Sequence, residues 1–591
     1  MKKLLTGNEA IAQGAYEAGI SFAAAYPGTP STEILENIAP FTEIVAEWAP
    51  NEKVALESAI GASIVGARAL SAMKHVGVNV AADPLFSIGY AGINGGLVLV
   101  SADDPGTHSS QDEQDNRYYA KFAKVALLEP SNSQECKDMV KSAMEISEQY
   151  NTLVLLRMTT RVCHSKSLVE TGSRIEVEKR PYVRDLAKYS LVPHVARNLH
   201  LVVEKKLKEL EKFSNETELN FIEWNDKKIG VISSGIAYEY AKEVFGDQAS
   251  YLKLGFTHPL PMDKIREFSQ TIDTLYVVEE LEPYIEEQMK AAGIVCVGKD
   301  KIPNTGELNP DIIAKGLLNA ERPLLEYDES ILVNRPPTLC AGCPHRGFFF
   351  ELAKRKNVMI TGDIGCYGLG GAEPLNAQDT CICMGASISM GHGAQQMFKK
   401  YGLATRTVAT IGDSTFFHMG INSLLDVVYN RSNVVTCILD NRVTAMTGHQ
   451  EHPGSGYTLQ GMATQEVDIA NVVKGIGIQN VKTVNPRNLK EVRDAFDWAL
   501  DLDEPSVIIT RWPCLLKKHS PKDIEEFGNY LGKCIVDDEK CIGCKMCLKT
   551  GCPALRLNKE VKKVKIDEAQ CAGCEICLQA CPVQAIGRVS Q

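Results

Sequence analysis

Few features of this sequence point to a membrane or to nucleic acid. It has no run of about 18 or more uncharged apolar residues, and its most apolar region, 76–100, is interrupted by Asp83, Gly and Pro. The N-terminal MKKLL turns polar at once, which is too short for the apolar part of a signal peptide. Acidic residues outnumber basic ones, 74 to 63, so the net charge is −11 and a large phosphate-binding surface is not expected. We therefore expect a cytoplasmic protein with neither a membrane nor a nucleic-acid partner.

The composition is that of a folded protein with several domains. Of 591 residues, 44% are hydrophobic and 23% charged, close to the globular average, and the length suggests about four domains at roughly 150 residues each. Strand–helix alternation recurs along the chain and gives way to a short cysteine-rich tail. We predict a multidomain α/β protein of doubly wound folds, with domains at 1–190, 191–330 and 331–525 and a small ferredoxin-like domain at 530–591.

Cysteine is abundant and unevenly placed. Eight of the 19 cysteines lie between Cys541 and Cys581, and in a reducing compartment such clustering indicates metal binding rather than disulfides. The tail contains two CxxCxxC triplets, each followed by a Cys-Pro pair, formed by Cys541, Cys544, Cys547 and Cys552 and by Cys571, Cys574, Cys577 and Cys581. This is the pattern of two-cluster bacterial ferredoxins, although four residues rather than three precede the last cysteine of the first run.

In that pattern the fourth cysteine of each run ligates the other cluster. We expect one [4Fe-4S] cluster on Cys541, Cys544, Cys547 and Cys581 and a second on Cys571, Cys574, Cys577 and Cys552. A pair of structural zinc sites is the alternative, but zinc ribbons rarely have two such triplets.

Two neighbouring strands end in polar residues suited to a divalent cation. Gly412-Asp413-Ser414 follows the apolar run VATI, and Asp440-Asn441 follows VVTCIL. Parallel strands present their carboxyl ends on one edge of a sheet, where Asp413, Asn441 and the main-chain carbonyl of Val443 could hold Mg²⁺ with diphosphate oxygens. The spacing resembles the GDG…NN signature of thiamine-diphosphate enzymes, with Ser414 and Asp440 as departures. An ordinary strand-end turn is the alternative.

Other cysteines leave room for a third cluster. Cys340, Cys343, Cys366 and Cys514 belong to the same α/β block and could hold another cubane, with zinc or buried thiols as alternatives. Cys381 and Cys383 flank the same region and could confuse this assignment. We interpret the remaining cysteines as core or incidental: Cys136, Cys163, Cys296, Cys437 and Cys534.

The whole set of motifs resembles the 2-oxoacid:ferredoxin oxidoreductases, and within them the alpha subunits of indolepyruvate ferredoxin oxidoreductases. The stretches that carry the resemblance span the chain: AYPGTPSTEI (25–34), NEKVALESAIGAS (51–63), ADDPGTHSSQDEQDNR (102–117), LCAGCPHRG (339–347), GDIGCY (362–367), GDSTFFHMG (412–420), DNRVTAMTGHQ (440–450) and the cysteine-rich tail.

This resemblance implies the roles of the domains. The first would bind the thiamine diphosphate pyrimidine, with Glu57 as the catalytic carboxylate against N1′. The second would resemble the transketolase C-terminal domain, and the third would bind diphosphate through Asp413, Asn441, Val443 and Mg²⁺. A smaller beta subunit is expected as partner, in a heterodimer or an α2β2 assembly.

The resemblance also implies the reaction. An aryl pyruvate such as indolepyruvate would be oxidatively decarboxylated with coenzyme A to an arylacetyl-CoA, and electrons would pass singly through the clusters to ferredoxin, as in anaerobic aromatic amino acid catabolism. Thr29, His108, Ser109 and Arg117 are candidates to meet the substrate carboxylate. Three alternatives remain: another 2-oxoacid, such as phenylpyruvate or a branched-chain one, a non-redox decarboxylase with structural clusters, and a plain electron-transfer subunit.

Overall fold

The computed structural model forms two compact units, one spanning Met1–Tyr327 and the other Asp328–Gln591. It describes residues 1–178, 180–321, 326–528 and 532–589. Both units contain parallel sheets covered by helices, so the expected α/β class is confirmed. The finer domain boundaries stay predictions. Within the described ranges, no helix is long and apolar enough to cross a membrane.

A seven-stranded sheet dominates the first unit. Its order is β12-β6-β7-β5-β4-β2-β3, parallel throughout except for β12, which runs antiparallel to β6. A four-stranded sheet has the order β13-β10-β11-β9, and β1 pairs with β8. The strands are β1 Lys2–Thr6, β2 Phe22–Ala25, β3 Val45–Trp48, β4 Ala69–Lys74, β5 Leu97–Asp103, β6 Ala126–Leu128, β7 Val154–Thr159, β8 Lys166–Glu170, β9 Asn220–Glu223, β10 Ile229–Ser234, β11 Ser250–Leu254, β12 Phe256–His258 and β13 Thr274–Val278.

Helices cover the sheets of this unit. They are α1 Gly7–Glu17, α2 Thr32–Ile38, α3 Glu52–Ile64, α4 His75–Val80, α5 Ala82–Ala91, α6 Arg117–Ala123, α7 Ser133–Tyr150, α8 Thr160–His164, α9 Leu186–Tyr189, α10 Pro193–Glu216, α11 Ile236–Phe245, α12 Met262–Gln270, α13 Tyr284–Ala291 and α14 Pro310–Leu318. Helix α3 begins at a good cap, because the Asn51 side chain accepts a hydrogen bond from the Val54 amide. The strand β5 is buried along its whole length, as expected for a central parallel strand.

The segment predicted as a second domain is joined to the first through a shared sheet. Strand β12 completes the edge of the seven-stranded sheet, although it follows the four-stranded sheet's β11 in the chain. The fully buried Arg117 adds a second link, because Nη1 donates to Glu279 at 2.6 Å and Nη2 to the Glu280 carbonyl at 2.8 Å. The two α/β segments therefore fold against each other as one unit.

The second unit is built on a five-stranded parallel sheet of order β14-β15-β16-β18-β17. Two small antiparallel pairs, β19-β22 and β20-β21, form the tail. The strands are β14 Val358–Thr361, β15 Arg406–Gly412, β16 Val435–Asp440, β17 Asn480–Val484, β18 Ser506–Arg511, β19 Cys534–Val536, β20 Leu555–Asn558, β21 Lys563–Ile566 and β22 Ile586–Arg588. The helices are α15 His345–Leu352, α16 Ala386–Lys400, α17 Asp413–Thr415, α18 Ile421–Tyr429, α19 Ile469–Ile476, α20 Leu489–Asp501, α21 Pro521–Phe527 and α22 Ile576–Gln579.

The cysteine-rich tail packs on the five-stranded sheet domain. Ile576 is buried in the same apolar cluster as Phe348 and Leu489. Gln579 bridges the two parts, since it accepts from the Leu489 amide at 3.0 Å and donates to the Arg487 carbonyl at 2.7 Å. These contacts hold the tail in one position relative to the carboxyl edge of the sheet.

Candidate functional site

Asp413 and Asn441 lie side by side at the carboxyl edge of the second unit's sheet. Strands β15 and β16 are parallel neighbours, with Gly412 opposite Leu439, so the residues that follow each strand meet. Oδ2 of Asp413 accepts hydrogen bonds from the Asn441 amide at 3.1 Å and the Arg442 amide at 2.7 Å. The carboxylate is therefore fixed by the main chain that follows the neighbouring strand.

Two further oxygen atoms lie beside this carboxylate, the side-chain oxygen of Asn441 and the main-chain carbonyl of Val443, and with Asp413 they form what we call the oxygen triad. Oδ1 of Asn441 lies 3.2 Å from each carboxylate oxygen of Asp413 and 2.7 Å from the Val443 carbonyl. Hydrogen bonding alone would favour the reversed amide, whose nitrogen would donate to these oxygens. In octahedral coordination at about 2.1 Å, neighbouring ligand atoms lie about 3 Å apart, and the distances from Asn441 Oδ1 to Asp413 and to Val443 are close to that spacing.

Two histidines face the same carboxylate. Nε2 of His452 lies 3.1 Å from Oδ2 of Asp413, and both side chains are buried. Burial alone would raise the pKa of Asp413, but the charge and hydrogen bond of His452 and the Ser414 amide hold it below its ordinary value. Burial lowers the pKa of His345 to about 4, which leaves that imidazole neutral near pH 7. The site therefore presents an ionised carboxylate beside a neutral ring.

Asp440, one of the departures from the usual signature, is turned toward cations of the protein. Oδ2 accepts from Nε of Arg511 at 2.8 Å, and Oδ1 accepts from the Arg442 amide at 3.2 Å. Burial raises its pKa to about 6, with a further rise from Asp413 and an opposing effect of Arg511. Asp440 thus holds the turn that carries Asn441, and both of its carboxylate oxygens already accept hydrogen bonds from the protein.

A cavity of about 800 Å³, counting its open mouth, brings together the four cysteines proposed for a third cluster. Cys340, Cys343, Cys366 and Cys514 all line it, and so does Asn441. The Cys514 amide donates to the Asn441 carbonyl at 2.9 Å, which holds the main chain of these two residues together. Burial raises the pKa of Cys343 to about 12 and that of Cys366 to about 11, as expected for thiols that lose a proton only on ligation.

The tail brings together the thiols expected at one cluster. A cavity of about 320 Å³ is lined by Cys541, Cys544, Cys547 and Cys581, and its other lining residues are mostly apolar. Cys581 comes from the second run, as the ferredoxin pattern requires. A hydrogen bond with Cys534 and burial raise the pKa of Cys577, and the nearby thiols of Cys574 and of Cys552 in the first run raise it further. In the described ranges, no three His, Cys, Asp or Glu side chains have the spacing of a single-ion site.

One cysteine interpreted above as incidental lies against the tail's thiols. Cys534, in β19, is 1% exposed, and its amide donates to Sγ of Cys571 at 3.4 Å. A side-chain hydrogen bond with Cys577 lowers the pKa of Cys534 to about 7. Cys534 is thus a core cysteine, as interpreted, but its thiol also contacts two of the expected ligands. Its position seven residues before Cys541 was the only sequence signal.

Helix α3 of the first unit carries two glutamates that differ in burial, and one of them, Glu57, is the carboxylate expected against thiamine. Glu57 lies on the exposed face of α3, 47% exposed at its side chain, and pairs with Lys53 at 2.8 Å. Glu52, the first residue of the same helix, is only 6% exposed. It lies against α4, since a Cβ on Gly77 would stand 2.7 Å from its Oε1. Sequence reasoning missed Glu52; its place next to the cap Asn51 was the available signal.

The candidate substrate residues fall into two groups. Arg117 is fully buried, with Asp115, Glu279 and the Glu280 carbonyl as partners. The expectation that it meets the substrate carboxylate is therefore wrong. His108 pairs with Glu307 at 3.3 Å. Ser109 belongs to an exposed loop at the sheet edge, where its Oγ donates to the Thr29 carbonyl at 3.3 Å. Of the four candidate substrate residues, Thr29 and Ser109 are therefore the pair that lies together at the carboxyl edge of the sheet.

Three family models match parts of this chain. Residues 13–202 match the model of the pyruvate flavodoxin/ferredoxin oxidoreductase thiamine diphosphate-binding domain. Residues 363–510 match the thiamine pyrophosphate enzyme C-terminal TPP-binding domain, and residues 540–585 match a 4Fe-4S dicluster domain. Thiamine binding and an iron–sulfur tail, both expected from the sequence, are confirmed.

Curated relatives match along the whole chain. Indolepyruvate oxidoreductase subunit IorA of Archaeoglobus fulgidus is 40% identical over 99% of this chain and 97% of its own. The IorA subunit of Pyrococcus abyssi is 40% identical over 100% of this chain and 97% of its own. Among solved structures, 2-oxoglutarate:ferredoxin oxidoreductase from Magnetococcus marinus matches at 15% identity with a TM-score of 0.46, covering 54% of this chain and 65% of that one; so low a score carries no weight.

The family expected from the motifs is therefore confirmed, and the plain electron-transfer subunit is excluded because the thiamine-binding domains are present. The chain belongs to the IorA family of 2-oxoacid:ferredoxin oxidoreductase subunits, with thiamine pyrophosphate-binding domains and a 4Fe-4S dicluster domain on one polypeptide.

Proposed function

We propose that this chain is the catalytic subunit for the oxidative decarboxylation of aryl pyruvates, indole-3-pyruvate first among them. The 2-oxoacid and coenzyme A would give an arylacetyl-CoA, carbon dioxide, a proton and two electrons, which leave one at a time to ferredoxin. The relatives at 40% identity are named for indolepyruvate, which is the support for this choice of substrate.

Mg²⁺ and diphosphate would be held at the edge of the second unit's sheet. Asp413, the Asn441 side chain and the Val443 carbonyl would ligate the metal, because their oxygens face one another as ligands of one ion would. Bound thiamine diphosphate supplies an electron sink for the carbon that loses carboxylate. His345 would stand beside this site as a neutral ring.

A third [4Fe-4S] cluster would occupy the cavity lined by Cys340, Cys343, Cys366 and Cys514. The observation that carries the proposal is that this one cavity is lined both by four thiols and by Asn441 of the oxygen triad. A redox centre there would lie between the coenzyme's diphosphate edge and the dicluster tail. A decarboxylase without redox chemistry has no use for four thiols at that position.

The pyrimidine carboxylate would come from α3 of the first unit. It would be one of two residues: Glu57, which the sequence predicts and which is exposed, or Glu52, which is buried as a carboxylate that holds a ring nitrogen away from water would be. A smaller beta subunit would complete the enzyme, as the word subunit in the relatives' names suggests. The assembly would work in the cytoplasm.

The test is an anaerobic assay of the loaded chain with its partner subunit. Indolepyruvate, phenylpyruvate, 4-methyl-2-oxopentanoate and 2-oxoglutarate would each be offered with coenzyme A and a one-electron dye. We expect coenzyme A-dependent dye reduction, fastest with the aryl pyruvates. Aldehyde release without dye reduction would contradict the proposal and favour a non-redox decarboxylase; a preference for the branched-chain acid would overturn the choice of substrate.

A further inference from the structure

Lys74 is a buried cation at the carboxyl edge of the first unit's large sheet. It is the last residue of β4, between the parallel neighbours β2 and β5, and it is 8% exposed. Ligands of open parallel sheets bind outside this edge. Burial lowers the pKa of Lys74, against the opposing effects of Asp104 and Asp112. A charge is thus held where water cannot fully solvate it.

Asp104 and Asp112 compensate this burial only from beyond ion-pair distance. Nζ of Lys74 donates to the main-chain carbonyl of Ser109 at 2.6 Å. In the part of the chain that the structure describes, no carboxylate comes within ion-pair distance of it. An ammonium buried against a carbonyl alone destabilises the fold relative to an apolar side chain. A buried cation at the ligand-binding edge of a parallel sheet is a candidate for ligand binding.

The carbonyl that Lys74 contacts belongs to an exposed residue of the loop that follows β5. Ser109 is exposed, and the loop is held from its base by Asp104, which accepts from the Ser109 amide at 2.9 Å and from Ser110 Oγ at 2.5 Å. The turn at Gly28 lies directly against the lysine, because a Cβ there would stand 3.1 Å from the Lys74 Cβ. Loop and turn thus both contact Lys74 at the carboxyl edge of the sheet.

The same helix start carries the buried carboxylate described above. Helix α4 begins immediately after Lys74, and Glu52 lies against its Gly77. A buried acid and a buried cation therefore flank one helix start in the first unit. If the acid meets the coenzyme's ring, the cation lies near the bound substrate.

We propose that Lys74 binds the carboxylate of the 2-oxoacid, exchanging the Ser109 carbonyl for a substrate oxygen. This rests on the proposed function, and it assigns the shared part of all 2-oxoacids to one residue. The residue is a binding group: its ammonium orients the substrate and takes part in no bond change. Specificity for the aryl group would come from other side chains.

The experiment compares Lys74→Met and Lys74→Gln with the control Lys141→Met, an exposed lysine of α7, in the loaded enzyme with its partner subunit. We expect at least a tenfold rise in KM for indolepyruvate in both Lys74 variants, with a smaller change in kcat and no change in KM for coenzyme A. Lys74→Arg keeps the charge and retains most of the affinity.

A binding measurement without turnover completes the test. Indole-3-lactate keeps the carboxylate and its methyl ester does not; calorimetry on the loaded wild-type enzyme should show tighter binding of the acid, and the Lys74→Gln variant should lose that preference. An unchanged preference, or a rise confined to the KM for coenzyme A, would overturn the inference while wild-type turnover upheld the function. A wild type that binds the acid but oxidises no 2-oxoacid would refute the function alone.

Discussion

Nη1 of Arg346 donates a hydrogen bond to the Thr550 carbonyl at 2.8 Å. Its Nη2 donates to the Cys340 carbonyl at 2.9 Å, and the side chain is 1% exposed. Gly551 is needed beside it, because its φ is +68° and a Cβ would come within 3.2 Å of Nη1. One buried guanidinium therefore joins the loop of the proposed third cluster to the dicluster tail.

Replacing Arg346 by methionine should destabilise both the loop of the proposed third cluster and the dicluster tail. Buried carbonyls would lose charge-assisted hydrogen bonds worth about 1.5–3 kcal/mol each, so the tail should unfold at lower urea concentration. Transfer of electrons from the coenzyme to the tail should slow more than substrate binding does. Stopped-flow absorbance of the clusters after substrate addition measures this, with Lys400→Met on the exposed end of α16 as control. Equal rates in the Arg346 variant and wild type would show that the link has no role in electron transfer.

Asp413→Asn should abolish tight binding of Mg²⁺ and thiamine diphosphate. The amide removes the one anionic ligand of the oxygen triad and introduces a donor that can bond to Asn441 Oδ1 instead. Isothermal calorimetry of the coenzyme with and without Mg²⁺ should show at least a hundredfold loss of affinity. Asp426→Asn, at an exposed position of α18, should bind as wild type does. Retained Mg²⁺-dependent binding in the Asp413 variant would show that the metal lies elsewhere.

Replacing each of the two glutamates of α3 should have a different effect on kcat. If the ring contact requires a desolvated carboxylate, Glu52→Gln should reduce kcat by a factor of about 100 or more, in the range of general acid–base catalysis. Glu57→Gln should then change kcat less than twofold, because that side chain is exposed and paired with Lys53. Hydrogen–deuterium exchange at the coenzyme's C2 position measures the step directly. The reverse ranking would restore Glu57 to the role expected from the sequence.

Iron content tests the third cluster. Anaerobically reconstituted wild type should contain about twelve irons per chain, since each cubane holds four. Cys514→Ser should lower this to about eight and leave the dicluster signals in the EPR spectrum unchanged. Cys383→Ser, at an exposed thiol of the same region, should leave about twelve. About eight irons in wild type would remove Cys340, Cys343, Cys366 and Cys514 from the ligand assignment.

Features that depend on the spacing of residues close together in the chain could be predicted from the sequence. The triplets around Cys541 and Cys571 repeat at fixed intervals, and such intervals determine which thiols can reach one cluster. The meeting of Asp413 and Asn441 could also be predicted. Each of them follows an apolar run, and parallel strands bring their ends together. The α/β class followed from the alternation of those same runs.

Features that depend on tertiary burial could not be predicted. Glu52 and Glu57 differ by five residues on one helix, and only the packing of α4 against its start decides which is buried. Arg117 was a candidate for the substrate carboxylate, but it pairs with Asp115 and with Glu279, which lies between β13 and α13 and reaches it only in the folded unit. Lys74 ends an otherwise apolar strand, and the sequence alone gave no reason to separate it from an ordinary surface lysine.

The central claim is that electrons released from the 2-oxoacid enter clusters on this same polypeptide. Anaerobic enzyme with its partner subunit and coenzyme A, but without ferredoxin, should be mixed with indolepyruvate and frozen for EPR within the first turnover. We predict signals of reduced [4Fe-4S] clusters, up to two electrons for each substrate consumed, and none in the Asp413→Asn variant. Complete consumption of indolepyruvate with every cluster still oxidised would contradict the account.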